Sequence, residues 1–174
     1  TGKQLPPERG APMIRLAAAA LLGLATLPAS ADELGYEAYV DSPKRIKCLY
    51  GYVTAKTGNF DAAKAIFEDC VARWNDVYSM ISLAQMYESG SGMEPDLSKS
   101  AALLKKGAEQ PDDASYVSLA RYHWGVALAE GRGVEADSVA ARHWLQRAAA
   151  GGQEEAEEYL RQLDHNDTTA PITQ

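Results

Sequence analysis

One signature occurs twice in this chain, its copies 41 positions apart: Gly90-Ser-Gly92-Met93-Glu-Pro-Asp96 and Gly131-Arg-Gly133-Val134-Glu-Ala-Asp137. Both read G-x-G-apolar-x-x-D, and both separate stretches with helical periodicity. Upstream of the first copy, Met80, Leu83, Ala84 and Tyr87 fall at i, i+3, i+4 and i+7, one face of an α-helix. Self-similarity at a fixed period is the pattern of stacked hairpins, because a single hairpin cannot bury its apolar face alone. Each signature residue has a physical task. The glycines allow backbone angles that a Cβ forbids. Met93 and Val134 plug the open end of their hairpins. Asp96 and Asp137 satisfy the orphan amides at the start of the next helix.

The same reading extends along the chain. Ser42-Pro43 starts a helix running to about residue 57, with Ser as cap and Pro at the first helical position. Gly58-Asn59 ends it. A second helix over about 61–74 carries Ala62, Ala63, Ile66, Phe67 and Cys70 at helical spacing. Further helices are expected over 78–89, from Pro95-Asp96 to 109, over 114–130 and over 138–150. A linker at 110–113 and a short last helix at 153–163 complete the set. No stretch alternates with period two between turns, so no sheet is expected. The expected fold is all-α, a right-handed α-solenoid of antiparallel helix hairpins. It has about three units and a C-terminal capping helix, whose Glu154, Glu155, Glu157 and Glu158 face solvent.

Residues 13–31 read as a secretory signal peptide: Met13-Ile-Arg15, an apolar run over 16–27, then Ala29-Ser-Ala31. The run is too short to span a bilayer comfortably. Residues 1–12 precede this start and read as an over-long start or a remnant. Residues 32–42 lead into a repeat domain at 43–163, and 164–174 reads as a disordered tail, being almost without apolar residues. Cleavage after Ala31 would expose Asp32, which cannot carry a bacterial lipid anchor. Formal charge is −7. Cleavage removes Lys3, Arg9 and Arg15 against Glu8 alone, so the mature chain is more acidic still. That balance argues against nucleic acid as a partner. The expected product is a monomer without a stable membrane anchor, in a periplasm or secreted.

Around the signature, Leu83-Ala84-x-Met86-Tyr87 precedes the first copy, and Ser100, Leu103, Lys106 and Ala108 follow it. Trp124-Gly125-x-Ala127-Leu128 precedes the second, and Ala141, Trp144, Arg147-Ala148-Ala149 and Gly151 follow it. This pattern resembles the Sel-1-like repeat, a relative of the tetratricopeptide repeat, over about residues 44–163. The first unit lacks G-x-G. Its Gly51, Ala63, Phe67 and Cys70 are spaced like the small and aromatic positions of a tetratricopeptide repeat. Ser100 and Gly107 depart from the alanines the family prefers, which marks the second unit as the softest. The resemblance implies a non-enzymatic adaptor or assembly scaffold of the cell envelope that binds a protein or peptide. One alternative follows exported cysteine-rich relatives that bind or hydrolyse β-lactams, although those carry a cysteine pair in most repeats. Another is a component of an envelope polysaccharide or secretion apparatus.

The residues capable of chemistry support binding over catalysis. Cys48 and Cys70 lie about equally far from the Gly58-Asn59 turn, so an antiparallel hairpin brings them together. A disulfide there contributes roughly 3 kcal/mol by restricting the unfolded chain. His123, His143 and His165 are scattered, with no zinc-binding spacing, so no metal is expected. There is no Ser-x-x-Lys, G-x-S-x-G or phosphate loop, and no cofactor or catalytic residue is assigned. Most aromatic residues read as packing. In stacks of this kind the first helix of each hairpin lines the concave surface. One turn off its packing stripe lie Arg45, Tyr52, Tyr78, Gln85, Glu88 and Tyr122, the candidate partner face.

Overall fold

The structure, a computed structural model, describes residue 2, residues 39–111 and residues 115–169, with side chains as far as 165. The segments 1–12, 13–31 and 32–38, Asp112, Asp113 and Ala114 of the linker, and residues 170–174 lie outside the described residues, Gly2 excepted. All helices among the described residues belong to the compact unit Ala31–Gln174. They are α1 (Lys47–Lys56), α2 (Phe60–Trp74), α3 (Val77–Ser89), α4 (Leu97–Ala108), α5 (Ser115–Glu130), α6 (Ser138–Ala150) and α7 (Glu154–Thr169). No strand occurs among the described residues. The helices pair as hairpins α1/α2, α3/α4 and α5/α6, and α7 closes on α6. The all-α solenoid expected from the sequence is the fold observed.

Both copies of the signature fold identically. Gly90 and Gly131 adopt left-handed backbone angles, with φ of 70° and 69°. The next amide, of Ser91 or Arg132, donates to the carbonyl of Met86 or Ala127 at 3.1 and 2.9 Å. The amides of Asp96 and Asp137 donate back to Tyr87 and Leu128 at 2.9 and 3.0 Å. Their carboxylates accept the amides of Lys99 and Ala140, both at 2.9 Å. The second glycine has a different task. A Cβ on Gly92 would lie 2.2 Å from Phe60 Cβ, and one on Gly133 1.9 Å from the Leu97 carbonyl oxygen. Phe60 opens α2 and Leu97 opens α4. Each loop is thus seated on the start of the second helix in the preceding hairpin.

Small residues set the spacing inside the hairpins. Gly51 faces the Phe67 ring and Gly125 faces Leu145, each too close for a Cβ. The largest core cluster joins Ile81, Ala84, Ala101, Leu104, Ala108, Ala120, Trp124, Ala127, Leu128 and Ala141, from α3 to α6. Burying each large apolar side chain is worth roughly 1.5–3 kcal/mol. The two departures in the second unit have local partners. A Cβ on Gly107 would sit 3.0 Å from Ala120 Cβ and 3.3 Å from Val77 Cγ1, so this glycine lets α4 nest between α3 and α5. Ser100 is buried and donates to Glu88 Oε1 at 3.0 Å. Each departure thus has a contact of its own in the stack, Gly107 between helices and Ser100 with Glu88.

The first hairpin carries the Cys48–Cys70 disulfide, with the Cα atoms 5.9 Å apart, beside buried Ile66. Its start differs from expectation. Ser42 Oγ accepts the Lys44 amide at 3.3 Å, which makes a local turn and no helix cap. Residues 44–46 form a bend and a turn, and α1 begins at Lys47. The Lys47 side chain is 1% exposed, its ammonium 2.7 Å from the Val40 carbonyl and 2.6 Å from Asp69 Oδ2. This fixes the lead-in against α2. Asn59, expected to end α1, caps α2 by accepting the Ala62 amide at 3.2 Å. Asn75 takes a positive φ between α2 and α3, as asparagine can, and Asp76 caps α3. At the other end α7 continues beyond residue 163 to Thr169, over residues expected to be tail. Arg142 of α6 pairs with Asp164 at 2.5 Å and holds that extra turn.

Candidate partner-binding face

The first helices of the hairpins form one row. Besides its hairpin partner, α1 packs on α3, and α3 on α5, whereas α2, α4 and α6 approach one another less. A stack in which one row is closer bends toward that row, so α1, α3 and α5 line the inner side. The sequence-derived face residues fall along this row, in three hollows.

The hollow between α3 and α5 has a volume of about 270 Å³, with Ala84, Leu104 and Val126 among its lining residues. Its polar lining is Gln85, Glu88, Tyr122, His123 and Arg132. The Arg132 guanidinium lies 3.6 Å from Glu88 and 2.8 Å from Glu130, so the second signature loop supplies a cation opposite a carboxylate of α3. Ser100 fixes that carboxylate from α4. Burial pulls the His123 imidazole below its usual range, against a smaller opposing effect of Glu88. The neutral ring therefore lines this hollow at neutral pH. Tyr159 of α7 donates to Glu130 Oε1 at 3.1 Å, and burial together with that bond raises its phenol to about 12.

A second hollow, about 210 Å³, lies beside it and shares Gln85. Tyr52, Lys56, Phe60, Ser82 and Ser91 are among the residues lining it. The third, about 380 Å³, is lined by Arg45, Ile46, Cys48, Leu49, Asp76, Tyr78 and Tyr116. Tyr78 is half-buried between rings, with centroids 6.5 Å from Tyr52, 6.4 Å from Phe67 and 5.2 Å from Tyr116. Its phenol is raised, chiefly by burial. Arg45 stands in the turn before α1 and pairs with Asp76 at 3.1 Å.

Gln85, Glu88 and Tyr122 thus share one hollow, Tyr52 and Gln85 the next, and Arg45 and Tyr78 the third. Sequence reasoning missed His123, Arg132 and Tyr116. Arg132 was legible as the variable residue inside G-x-G, while His123 follows Tyr122 on the same helix. Arg121 was also missed. Its side chain is 1% exposed, and its guanidinium donates to the carbonyls of Ala108 and Gln110, both at 3.3 Å, at the C-terminal end of α4. It holds two hairpins together and does not open on the inner face. His143 and His165 are exposed and apart from this row. No cluster suited to a metal ion occurs among the described residues, and no helix there is long and apolar enough to cross a membrane.

The Sel1 repeat matches residues 77–112 and 118–153. The fold is similar to the crystal structure of a Sel1 repeat protein from Oxalobacter formigenes. The TM-score is 0.59 and the identity 23%, over 75% of this chain and 98% of the other. No curated protein matches the chain.

Proposed function

We propose, from the premise that this is a Sel1-like repeat protein, that it serves as an exported adaptor or assembly scaffold of the cell envelope. Sel1 repeats generally mediate protein–protein interaction. The observation that carries the reading to this chain is the row of three adjoining hollows on α1, α3 and α5. They contain all six residues the sequence singles out for the inner face. An extended partner segment laid along the row would place successive side chains in the hollows, with no bond made or broken. The reading of residues 13–31 as an export signal, cleaved after Ala31, places the protein in a periplasm. The single disulfide suits such an oxidising compartment.

The test is a crosslinked pull-down from envelope extract with residues 32–174, beside a variant carrying Tyr52→Ala, Gln85→Ala and Tyr122→Ala. A dominant protein captured by the first and lost from the second is the expected result. Capture of no protein counts against the adaptor role, and capture unchanged in the variant moves the site off the inner face.

A further inference from the structure

The hollow at the α1 end differs in character from the other two, and its surroundings state what fits it. Of the six large apolar side chains that stand open among the described residues, three lie at this hollow and a fourth, Tyr52, beside it. Ile46 is 50% exposed, Leu49 53%, Tyr52 48% and Tyr116 45%. Leu49 and Tyr52 lie three residues apart on α1, along its outward edge, and Tyr116 faces them from α5 across the half-buried Tyr78 ring. Such a patch around a hollow marks a binding surface.

Charge selects the occupant. The molecule carries −7 overall. Over the first hairpin itself, residues 43–74, the sign reverses, since Lys44, Arg45, Lys47, Lys56, Lys64 and Arg73 outnumber Asp61, Glu68 and Asp69, while the lead-in before it carries Asp32, Glu33, Glu37 and Asp41. Two of these cations border the apolar patch. Arg45 remains 66% exposed although one of its nitrogens pairs with Asp76. Lys56 lies over the Tyr52 ring, 5.2 Å from its centroid. Asp76, the one carboxylate among the described residues lining the hollow, is committed inward. Its Oδ1 accepts from the amide and hydroxyl of Ser79 at 2.9 and 2.8 Å, and its Oδ2 faces Arg45. The surface presented to a partner is therefore apolar at its centre and cationic at both ends.

We propose that this hollow takes one apolar side chain of an acidic segment of a partner protein, with flanking Asp or Glu residues meeting Arg45 and Lys56. This deepens the adaptor reading and rests on it. A protein segment fits better than an anionic membrane surface, because Tyr78 lies recessed between Tyr52 and Tyr116 and Asp76 lines the same depression. A bilayer would meet that recess and its carboxylate without filling either.

The test selects a phage-displayed random dodecapeptide library on the disulfide-intact chain, 32–174. The expected consensus is a Leu, Ile or aromatic residue flanked by Asp or Glu. A synthetic peptide of the selected sequence should bind at least about tenfold more weakly to Leu49→Ser and to Tyr116→Ala. Lys56→Glu should shift the selected flanks toward Lys and Arg. Circular dichroism of each variant should match the parent, since all three positions are exposed. Absence of a consensus, basic or neutral flanks, or affinity unchanged in Leu49→Ser would overturn the proposal. So would sedimentation with phosphatidylglycerol vesicles that Leu49→Ser abolishes, which would assign the patch to a membrane. If the peptide arm fails while the pull-down partner depends on Tyr52, Gln85 and Tyr122, the adaptor reading stands and only this assignment falls.

Discussion

Two glycines with positive φ have different reasons to be glycine. At Gly58 nothing lies within 4 Å of a new Cβ, so only the left-handed backbone resists substitution. Gly58→Ala should cost about 1 kcal/mol. At Gly133 the Cβ would overlap the Leu97 carbonyl, so Gly133→Ala adds a collision with main chain to the same strain. It should cost at least about 2 kcal/mol more, and urea unfolding of the two variants side by side measures the difference. A comparison that ranked Gly58→Ala as the worse would refute the seated-loop interpretation. His123 supplies a second prediction at this scale. Its folded-state pKa lies below the ordinary histidine value of 6.5, because burial disfavours the charged ring. The unfolded chain then binds the proton more readily, so this group costs stability as pH falls below about 6.5. His123→Gln should flatten the stability profile just below that pH, and unchanged profiles would show the ring to be solvated. Signature residues were legible because G-x-G and Asp each solve a local backbone problem. Buried Lys47 and Arg121 were not, since their partners lie on other helices and no spacing within one helix announces them.

Helix identity and order were readable from periodicity, and the ends less so. Ser42-Pro43 has the chemistry of a helix start, yet the chain turns there because Lys47 is drawn in toward Asp69 and Val40. The Lys47 contact is the main cause holding the Asp69 carboxyl below its usual range. The pair is complete above that range and is lost as pH falls through the lowered value, so acid opens this hairpin at a point separate from His123. The disulfide is the other tie. Converting both Cys48 and Cys70 to Ser should lower stability by roughly 3 kcal/mol. The loss should concentrate in α1 and α2, seen as faster hydrogen exchange there with α5 and α6 little changed. Uniform acceleration along the chain would mean that the hairpins unfold as one. The hollows themselves were only partly legible. Their first-helix residues follow from face geometry, but Ser100 and Arg132 enter from α4 and from a loop, and only the stack brings those to Glu88.

At the scale of the whole molecule, stability passes from neighbour to neighbour, and the last neighbour is α7. Its Ala156 is fully buried with Val126, Leu145 and Ala148, and Tyr159, Leu160 and Leu163 pack around them. Ala156→Glu should lift α7 away and expose Leu145, raising the fluorescence of a hydrophobic dye while the Sel1 units keep their helical signal. A variant that bound no more dye than its parent would show that α7 covers nothing of consequence. The seated loops carry a wider implication. Gly92 and Gly133 meet the preceding hairpin by closeness of approach to its helix start, a joint that asks little of the neighbour's side chains. Parts joined in this way are interchangeable. A hairpin of this type can be duplicated, deleted or exchanged without redesigning the one before it. The number of hollows on the inner face, and with it the length of partner that can be read, becomes a quantity that whole-unit steps can adjust.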